Sequence, residues 1–367
     1  MSSSGDQPPA GMDQNLPAPA NDDNGPPPES ISLARRLRDP RTIVSIVVPL
    51  VLLLLVAFNL EGFQLDRLPG IILAADPLLL AAALAIYYVG FPLRGYRWRL
   101  LLRSAGTNVS QRDSTEIIFI SWLVNCLVPA KLGDVYRAYL LRLNFMVSLS
   151  RTFGTVFIER IFDLFAIALL GLAAGFWSFR GGLPTEVQIV FAVGLAVVLL
   201  LAIGLFTLRN FGRQVIRRLP WSHRLLEFYE RFEEGVFAIN PRQIPFLAVL
   251  TALIWATEAL RLLLVIAALG FTDVHLGISG AFFVALAASL LTAIPFTPAG
   301  LGIVELGVVG ILTVIYGVDG TNAAAITIVD RAISVLSIVA IGSVVYVLSA
   351  KTKGGPRAPA QAEASGA

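Results

Sequence analysis

A five-residue pattern that occurs twice constrains the fold of this chain more than any other feature. Pro-Ala-x-Leu-Gly stands at 129–133, followed by Asp134, and again at 298–302, followed three residues later by Glu305. Proline removes a backbone hydrogen-bond donor and glycine destabilises a helix, so both copies predict an interruption of helical structure. Pro295 places another proline just before the later copy. The chain is therefore predicted to contain two related broken segments.

An acidic residue followed by arginine lies downstream of each copy, within a long apolar stretch. These pairs are Glu159-Arg160 and Asp330-Arg331. The arginine follows the last glycine of the pattern by 160 − 133 = 27 positions in the first copy and by 331 − 302 = 29 in the second. Internal repeats that combine broken helices with buried charges are typical of membrane transporters. The repeat therefore predicts a polar site at mid-depth in a membrane.

The composition excludes a soluble protein. Hydrophobic residues make up 56% of the 367 residues and charged residues only 14%, whereas soluble domains carry about 25% charged residues. The net charge of +3 is small and the arginines stand beside apolar runs, which favours topology signals over a nucleic-acid partner. One cysteine, Cys126, allows no disulfide within the chain, and His223 and His275 are too far apart in sequence to suggest a metal site. We predict neither a metal nor a cofactor.

The distribution of arginine orients the apolar runs. Arginines precede the first run, 43–60, and follow the second, 71–91, so the N-terminus is predicted to be cytoplasmic. Residues 1–30 and 351–367 are expected to be disordered cytoplasmic tails, because they are too polar to offset the entropy of ordering. We predict an all-α polytopic protein of the cytoplasmic membrane with about six spanning helices and both termini in the cytoplasm. The remaining spans are predicted at 152–176, 187–208, 244–271 and 323–348.

The two broken segments are predicted to be re-entrant helical hairpins within a single membrane domain, 31–350. The first enters from the cytoplasm at 115–128, although two short crossings would give the same parity. The second, 278–316, enters from outside. Repeat one, at about 71–176, and repeat two, at about 244–349, then have inverted topology, an arrangement that allows access from either face in turn.

Two weaker patterns accompany the repeat. Arg99-Leu-Leu-Leu with Gly106 resembles Arg261-Leu-Leu-Leu with Gly270. In the cytoplasmic loop 209–243, apolar residues recur at helical spacing. Such a helix lies either on the inner leaflet or against the cytoplasmic ends of the protein itself, and the sequence leaves both open. The residues are Leu225, Phe228, Tyr229, Phe232 and Val236.

Charged residues inside the apolar stretches carry the chemistry. A charge at a helix centre costs about 2.5–3.5 kcal/mol on insertion scales, so it needs partners. Arg160 and Asp163 are three residues apart, as are Glu258 and Arg261, and residues at that spacing share a helix face. These charges predict a polar cavity for a lipid headgroup or a coupling ion. The alternative is a set of buried ion pairs that only fix helix packing.

Other charged residues are assigned by position. Asp330 and Arg331 are adjacent and diverge on their helix, so each is expected to find a partner elsewhere, in the other repeat. Arg137, Arg142 and Trp98, with the arginines around it, are expected to be interfacial anchors. The candidate cavity residues are Asn125, Pro129, Lys131, Gly133, Asp134, Glu159, Arg160, Asp163, Glu258, Arg261, Pro295, Pro298, Gly300, Gly302, Glu305, Asp330 and Arg331.

Four ordered motifs resemble the lysylphosphatidylglycerol synthase transmembrane-region family, a flippase-like domain found in the multiple peptide resistance factor and in stand-alone membrane proteins. They are Asn125-x-x-x-Pro-Ala-Lys-Leu-Gly-Asp-x-x-Arg137, Glu159-Arg-x-x-Asp163, Pro295-x-x-Pro-Ala-Gly-Leu-Gly-x-x-Glu305 and Asp330-Arg331. The resemblance covers about 43–348 and implies a lipid-translocating domain whose motif residues line the cavity. Because only a short polar segment follows 348, the aminoacyl-transfer domain is expected to be absent and synthase activity is not carried over.

Two functions stay open from the sequence. The first is a flippase or transporter that moves a polar-headed lipid, a phospholipid or a lipid-linked sugar, between leaflets. The second is an integral-membrane enzyme, or the partner of a lipid-modifying enzyme, that acts on a glycosyl or aminoacyl lipid. No nucleophile–base pair or aspartate-rich phosphate motif stands at usable spacing, so no catalytic residue is assigned and the first function is favoured.

Overall fold

The structure is a computed structural model that describes residues 64, 66–129, 131–178, 185–217, 222–271, 274, 276–292 and 297–352. The predicted N-terminal tail, the predicted first span at 43–60 and Pro295 lie outside these residues. The regular structure of the described residues is all helical. The α-helices are α1 Leu68–Leu73, α2 Pro77–Ser104, α3 Gln111–Leu127, α4 Leu132–Phe145, α5 Leu149–Ser178, α6 Thr185–Arg217, α7 Ser222–Phe237, α8 Ile244–Ala268, α9 Gly277–Thr292, α10 Ile303–Gly310, α11 Gly320–Arg331 and α12 Ser337–Leu348.

Short helices of other types extend this set. A 3₁₀ turn, Pro241–Gln243, leads into α8, and another, Ala350–Thr352, follows α12. Within repeat two, π-helical turns at Ile311–Ile315 and Ala332–Leu336 continue α10 and join α11 to α12.

Helical stretches long and apolar enough to cross a membrane occur in both repeats. Those identified among the described residues are Pro77–Ser104, Pro241–Ala268, Pro298–Ile315 and Gly320–Leu348. Large apolar side chains cover the outside of the molecule, and Leu78 and Leu348 are each 76% exposed. Lipid, unlike water, is a favourable environment for such a surface. The chain is therefore a multi-pass membrane protein.

Helices α2 and α8 begin and end alike, at a constant offset in residue number. Asp76 and Asn240 (240 − 76 = 164) each accept backbone N–H hydrogen bonds at the N-cap, and a proline follows each of them. Both helices end at a glycine with positive φ, 80° at Gly106 and 70° at Gly270 (270 − 106 = 164). Glycine adopts this conformation without the penalty that a Cβ atom brings. The sequence match of Arg99 with Arg261 is therefore wrong by two positions, because the structural counterpart of Arg261 is Arg97.

The contacts between α2 and α8 have the symmetry of a two-fold axis. Arg97 donates a hydrogen bond to Thr251 Oγ1, and Arg261 lies over the ring of Tyr87, with 251 − 87 = 261 − 97 = 164. The ion pair between Arg94 and Glu258 joins two equivalent positions, since 258 − 94 = 164. In these contacts, lower residue numbers in α2 pair with higher residue numbers in α8, so the two helices are antiparallel.

The hairpins and the helices that follow them are related by a second constant offset. Helix α4 starts at Leu132 and α10 at Ile303 (303 − 132 = 171), and α5 starts at Leu149 and α11 at Gly320 (320 − 149 = 171). The offset is 292 − 127 = 165 at the ends of α3 and α9, so most of the change to 171 occurs between these ends and the starts of α4 and α10. Each repeat thus consists of a long helix, a helix–break–helix unit and a second long helix.

Both ends of each helix–break–helix unit lie at the same end of the molecule. Lys351, just after α12, forms ion pairs with Asp113 and Glu116 in α3, and its carbonyl accepts a hydrogen bond from Asn144 near the end of α4. At the opposite end, Tyr316 closes the second unit and contacts Ser178 at the end of α5. The breaks themselves therefore lie in the interior.

Helix α7 packs on α5 through close contact between glycines and on α6 through a tyrosine. A Cβ atom on Gly154 would collide with the carbonyl oxygen of Phe232, and one on Gly235 would collide with that of Arg151. Tyr229 donates a hydrogen bond to the carbonyl of Leu208 in α6. Of the two placements that the sequence left open, the structure shows the helix against the protein.

Several positions assigned to the interface or to a tail are buried instead. Arg94, Arg97 and Trp98 lie inside α2, which continues through the predicted cytoplasmic arginines to Ser104. Lys351, predicted to begin a disordered tail, is buried because two carboxylates of α3 neutralise it. The positive-inside rule misplaced these residues because it counts cations and takes no account of acids in other helices.

Candidate functional site

A cavity of about 270 Å³ lies between the two repeats. Helices α2, α3, α5, α8, α9, α10 and α11 and both broken segments contribute to its wall. Its charged lining residues are Arg94, Arg97, Lys131, Glu159, Arg160, Asp163, Glu258, Arg261, Asp330 and Arg331.

In repeat one, an acid in the first turn of α4 holds an arginine of α5. Asp134 accepts two hydrogen bonds from Arg160, at 3.0 Å from Nε and 2.9 Å from Nη2. The third nitrogen of this guanidinium, Nη1, lies 3.3 Å from Asp163. Arg160 keeps 32% of its side chain exposed while it makes these contacts. It is therefore held in position and still open to a ligand.

Two further arginines neutralise the acids of α5. Arg97 in α2 contacts Asp163 at 2.6 Å and Glu159 at 3.2 Å. Arg137 in α4 contacts Glu159 at 3.1 Å. Both guanidinium groups are almost fully buried, at 2% and 1% residue exposure. Removing one partner of such a group costs several kcal/mol because the other charge stays buried.

The interfacial assignment of Arg137 and Trp98 is therefore wrong. Trp98 is fully buried and donates a hydrogen bond to Thr155, and the Arg137 guanidinium lies 4.8 Å from the centre of its ring. The aromatic face and Glu159 together compensate the arginine for the loss of water. Arg142, assigned to the interface as well, is half-buried.

Repeat two contains an acid–arginine pair that is equivalent to Asp134 and Arg160. Glu305, in the first turn of α10, accepts a 2.6 Å hydrogen bond from Arg331 Nε, and Arg331 Nη2 donates to the carbonyl of Ala299 at 2.7 Å. The two pairs have the same separation in sequence, 160 − 134 = 331 − 305 = 26. Asp330 binds Arg261 through both oxygens, at 2.8 and 3.0 Å. Both partners lie within repeat two, which corrects the expectation that they come from repeat one.

Arg94 joins the two networks at the symmetry axis. Its Nη2 lies 2.5 Å from Glu258, which is also 2.5 Å from Arg261, as its spacing of three residues predicted. The guanidinium of Arg94 lies 4.7 Å from the centre of the Trp122 ring. One carboxylate thus accepts from an arginine of each repeat.

The predicted site residues fall into two groups in the structure. Six of them do not line the cavity but shape it: Pro129, Gly133, Asp134, Pro298, Gly302 and Glu305. The lining group is Asn125, Lys131, Glu159, Arg160, Asp163, Glu258, Arg261, Gly300, Asp330 and Arg331. The structure brings these ten residues together around one space.

Gly133 and Gly302 show how the first group acts. Gly133 donates its N–H to Asn125 at 2.8 Å, and a Cβ atom at this position would collide with the carbonyl oxygen of Ser121. Gly302 donates its N–H to Glu305 at 2.6 Å, which fixes the carboxylate that holds Arg331. Gly133 thus allows close packing at the first break, and Gly302 positions the acid at the second.

Sequence reasoning missed several lining residues, above all Arg94 and Arg97 with Tyr87, Trp122 and Trp255. A signal was present, because Arg94 and Arg97 are three apart on one helix face, as are Glu258 and Arg261. The two pairs share one offset in residue number, 258 − 94 = 261 − 97 = 164, which is also that of the capping residues of α2 and α8. The positive-inside assignment of this segment concealed it.

The profile of the lysylphosphatidylglycerol synthase TM region family matches residues 42–342. The chain belongs to this family. A UPF0104 membrane protein of Methanocaldococcus jannaschii is 37% identical over 223 residues, which are 61% of this chain and 92% of that protein. A UPF0104 membrane protein of Methanothermobacter thermautotrophicus is 27% identical over 300 residues, 76% of this chain and 86% of that protein.

A third relative of the chain is named as an enzyme. Glycosyltransferase AglD of Haloferax volcanii is 29% identical over 297 residues, which are 71% of this chain but 47% of AglD. The family profile, for its part, describes the transmembrane region rather than the synthase domain. The chain thus matches less than half of AglD, whereas it covers most of the two UPF0104 membrane proteins.

Proposed function

We propose that this protein moves a polar-headed lipid between the leaflets of the cytoplasmic membrane. The headgroup occupies the charged cavity while the acyl chains stay in the surrounding lipid. The observation that carries the proposal is a cavity lined by ten charged residues inside a bundle of apolar helices. A volume of about 270 Å³ is below the roughly 300–1,000 Å³ of pockets that enclose whole drug-sized ligands, so it suits a headgroup.

The symmetry of the fold supports access from both faces. We infer that the two helix–break–helix units are re-entrant hairpins that enter from opposite sides, so that each serves as one gate. Interrupted helices are tolerated at membrane depth where they line a polar cavity, as Lys131 and Gly300 do here. The related pairs Asp134–Arg160 and Glu305–Arg331 then offer the headgroup equivalent contacts in the inward- and outward-facing states.

A lipid-exchange assay tests this function. Purified protein in liposomes is expected to speed the exchange of fluorescent polar-headed lipids between leaflets without changing them chemically. The Arg160→Ala and Arg331→Ala variants are expected to lose exchange, whereas Arg103→Ala, which removes an exposed arginine at the end of α2, is expected to retain it. Wild-type protein that gives the leak rate of empty vesicles contradicts the proposal.

Accessibility labelling tests the inverted topology. After replacement of Cys126, cysteines introduced at Glu227 in α7 and at Asp319 before α11 are expected to react from opposite sides of the membrane. Labelling of both positions from the same side contradicts the arrangement of the spans between them.

A second candidate function is supported by the name of AglD. In that alternative the chain serves an enzyme that glycosylates a lipid-linked substrate, or takes part in the reaction. The same vesicles distinguish the two functions when they are supplied with a lipid-linked sugar and analysed by mass spectrometry. Chemical turnover without exchange supports the alternative, and exchange without turnover supports the transporter.

A further inference from the structure

The acids of the cavity leave no negative charge for a cationic ligand. The ion pairs of the site involve six arginines, Arg94, Arg97, Arg137, Arg160, Arg261 and Arg331, and six acids, Asp134, Glu159, Asp163, Glu258, Glu305 and Asp330. Each acid has an arginine within 4 Å, and the two sets cancel. A ligand ammonium group would have to displace an arginine from its carboxylate, which exposes a buried charge.

Lys131 adds one positive charge to the six arginines and six acids whose charges cancel. It lines the cavity, and among the described residues no hydrogen bond or ion pair within 4 Å involves its ammonium group. Its carbonyl accepts the N–H of Asp134, the residue that holds Arg160. Lys131 therefore lies at the first turn of α4, next to the partly exposed guanidinium of Arg160.

The backbone conformation at Lys131 is unfavourable for a residue with a side chain. Its φ of 50° is in the left-handed region, which costs a residue with a Cβ atom about 1–2 kcal/mol. Gly302, at the offset of 171 residues, has a different conformation, with a φ of 85° and a ψ of −51°, and the left-handed residue of repeat two is Ala299, with a φ of 51° and a ψ of 18°. Each repeat thus places a non-glycine residue in the left-handed region at its break, and in repeat one that residue carries a cation. Strain of this kind is concentrated at functional sites.

We propose, resting on the lipid transport proposed above, that the cavity selects an anionic headgroup and binds its phosphate between Lys131 and Arg160. Phosphate oxygens accept charge-assisted hydrogen bonds from both cations. A lysyl headgroup, named in the description of the family, meets an excess of positive charge here and is rejected. This corrects the expectation from the sequence that charges of both signs favour a zwitterionic headgroup, because the acids are already neutralised.

Unpartnered donors elsewhere in the lining residues agree with this selection. Arg94 Nη1 and Trp255 Nε1 are buried without a hydrogen-bond partner among the described residues. Buried donors of this kind are rare and need an explanation. A headgroup rich in hydroxyl and phosphate oxygens can satisfy donors, whereas an ammonium group cannot.

The test compares headgroups of different charge in the same vesicles. Fluorescent phosphatidylglycerol, phosphatidylcholine and lysylphosphatidylglycerol are followed with wild type and with Lys131→Asn, Lys131→Arg and Arg103→Asn. Asparagine removes the charge and tolerates positive φ, and Arg103→Asn removes one exposed positive charge elsewhere. Vesicles loaded to measure uptake of inorganic phosphate show whether a free anion is the substrate instead.

Wild type is expected to exchange the anionic lipid about tenfold faster than the other two, the effect of one charge-assisted contact. Lys131→Asn is expected to lose this preference, while Lys131→Arg and Arg103→Asn keep it. Equal rates for the three lipids, a preference for the lysyl lipid, or an unchanged preference in Lys131→Asn overturns the selectivity and leaves lipid transport standing. No exchange of any lipid, or phosphate uptake in its place, overturns lipid transport itself.

Discussion

Asp134 binds Arg160 in repeat one as Glu305 binds Arg331 in repeat two, but the surroundings of the two pairs differ. Around these pairs, three positions are charged in repeat one and uncharged in repeat two. The correspondences, all at the offset 302 − 131 = 171, are Lys131 with Gly302, Arg137 with Val308, and Asp163 with Ser334. Repeat one thus supplies most of the fixed charge of the cavity.

The helices of the two repeats differ in the same sense. Helix α5 is regular from Leu149 to Ser178, whereas its counterpart is interrupted by a π-helical turn at Ala332–Leu336, directly after Arg331. A second π-helical turn, Ile311–Ile315, follows α10. π-Helical turns occur mostly at functional sites, where they change the direction of a helix locally. Repeat two, which contains both π-helical turns and has fewer charges, is therefore the better candidate for the part that moves.

The ends of the two helix–break–helix units are also held by different kinds of contact. Lys351, at the end predicted to be cytoplasmic, joins the first unit through two carboxylates, Asp113 and Glu116. At the other end, the hydroxyls of Ser178 and Tyr316 are 3.3 Å apart. Ser178 and Ser349 are equivalent (349 − 178 = 171), and Ser349 donates to Glu116. We infer that repeat one forms the more rigid frame and that, of the two gates, the unit of repeat two costs less to open, because its contact is neutral.

The largest expected effect comes from removing an arginine of the rigid frame. Arg97→Met deprives Glu159 and Asp163 of a shared partner, and we expect it to lower the free energy of unfolding by about 3–5 kcal/mol. Thermal unfolding in detergent measures this loss. Arg103→Met is the control and should change stability by less than about 0.5 kcal/mol, because its side chain is exposed. Equal stability of the two variants would refute the idea of a charge-fixed frame.

The next effect compares the two equivalent arginines directly. Arg331→Ala leaves Glu305 without its 2.6 Å partner, and we expect a loss of about 2–3 kcal/mol. Arg160→Ala is expected to cost only about 1 kcal/mol, because Asp134 keeps Arg137 at 3.7 Å and Asp163 keeps Arg97. Both variants should nevertheless stop lipid exchange. A greater loss of stability in Arg160→Ala contradicts the contrast between the repeats.

This comparison also shows what the sequence could and could not predict. The repeated Pro-Ala-x-Leu-Gly pattern located both breaks, and the spacing of Glu258 and Arg261 predicted their contact, because such features are local. Arg97 and Arg137 were misassigned since their acid partners come from another helix, and a cation in an apolar chain then resembles a topology signal. Local sequence carries no direct record of such tertiary pairs.

A third prediction concerns the ion pairs of Lys351. Lys351→Met removes the cation between Asp113 and Glu116, so the first unit is expected to open more often toward that side. Cys126, the only cysteine of the chain, lines the cavity and serves as the reporter. Its labelling by a small thiol reagent added on that side should become about tenfold faster, equivalent to about 1.4 kcal/mol. Ser178→Ala, the matched change at the other end, should alter labelling from that side by less than about twofold. Similar acceleration in both variants would remove the asymmetry.

The smallest expected effect is one of backbone strain, and it has opposite signs in the two repeats. Lys131→Gly relieves about 1–2 kcal/mol of left-handed strain but adds about 0.5–1 kcal/mol of unfolded-state entropy, so we expect a net stabilisation of about 0.5–1 kcal/mol. Gly302→Ala places a Cβ atom at a φ of 85° and a ψ of −51°, a conformation that glycine adopts readily and alanine does not, and it is expected to destabilise the protein by about 1–3 kcal/mol. Calorimetry or chemical denaturation of the purified proteins measures both changes. If Lys131→Gly is less stable than wild type, the lysine stabilises the resting fold, and its strain is not the cost of a ligand contact. If it is more stable yet no longer distinguishes headgroups, repeat one has kept Lys131 for binding at the expense of stability.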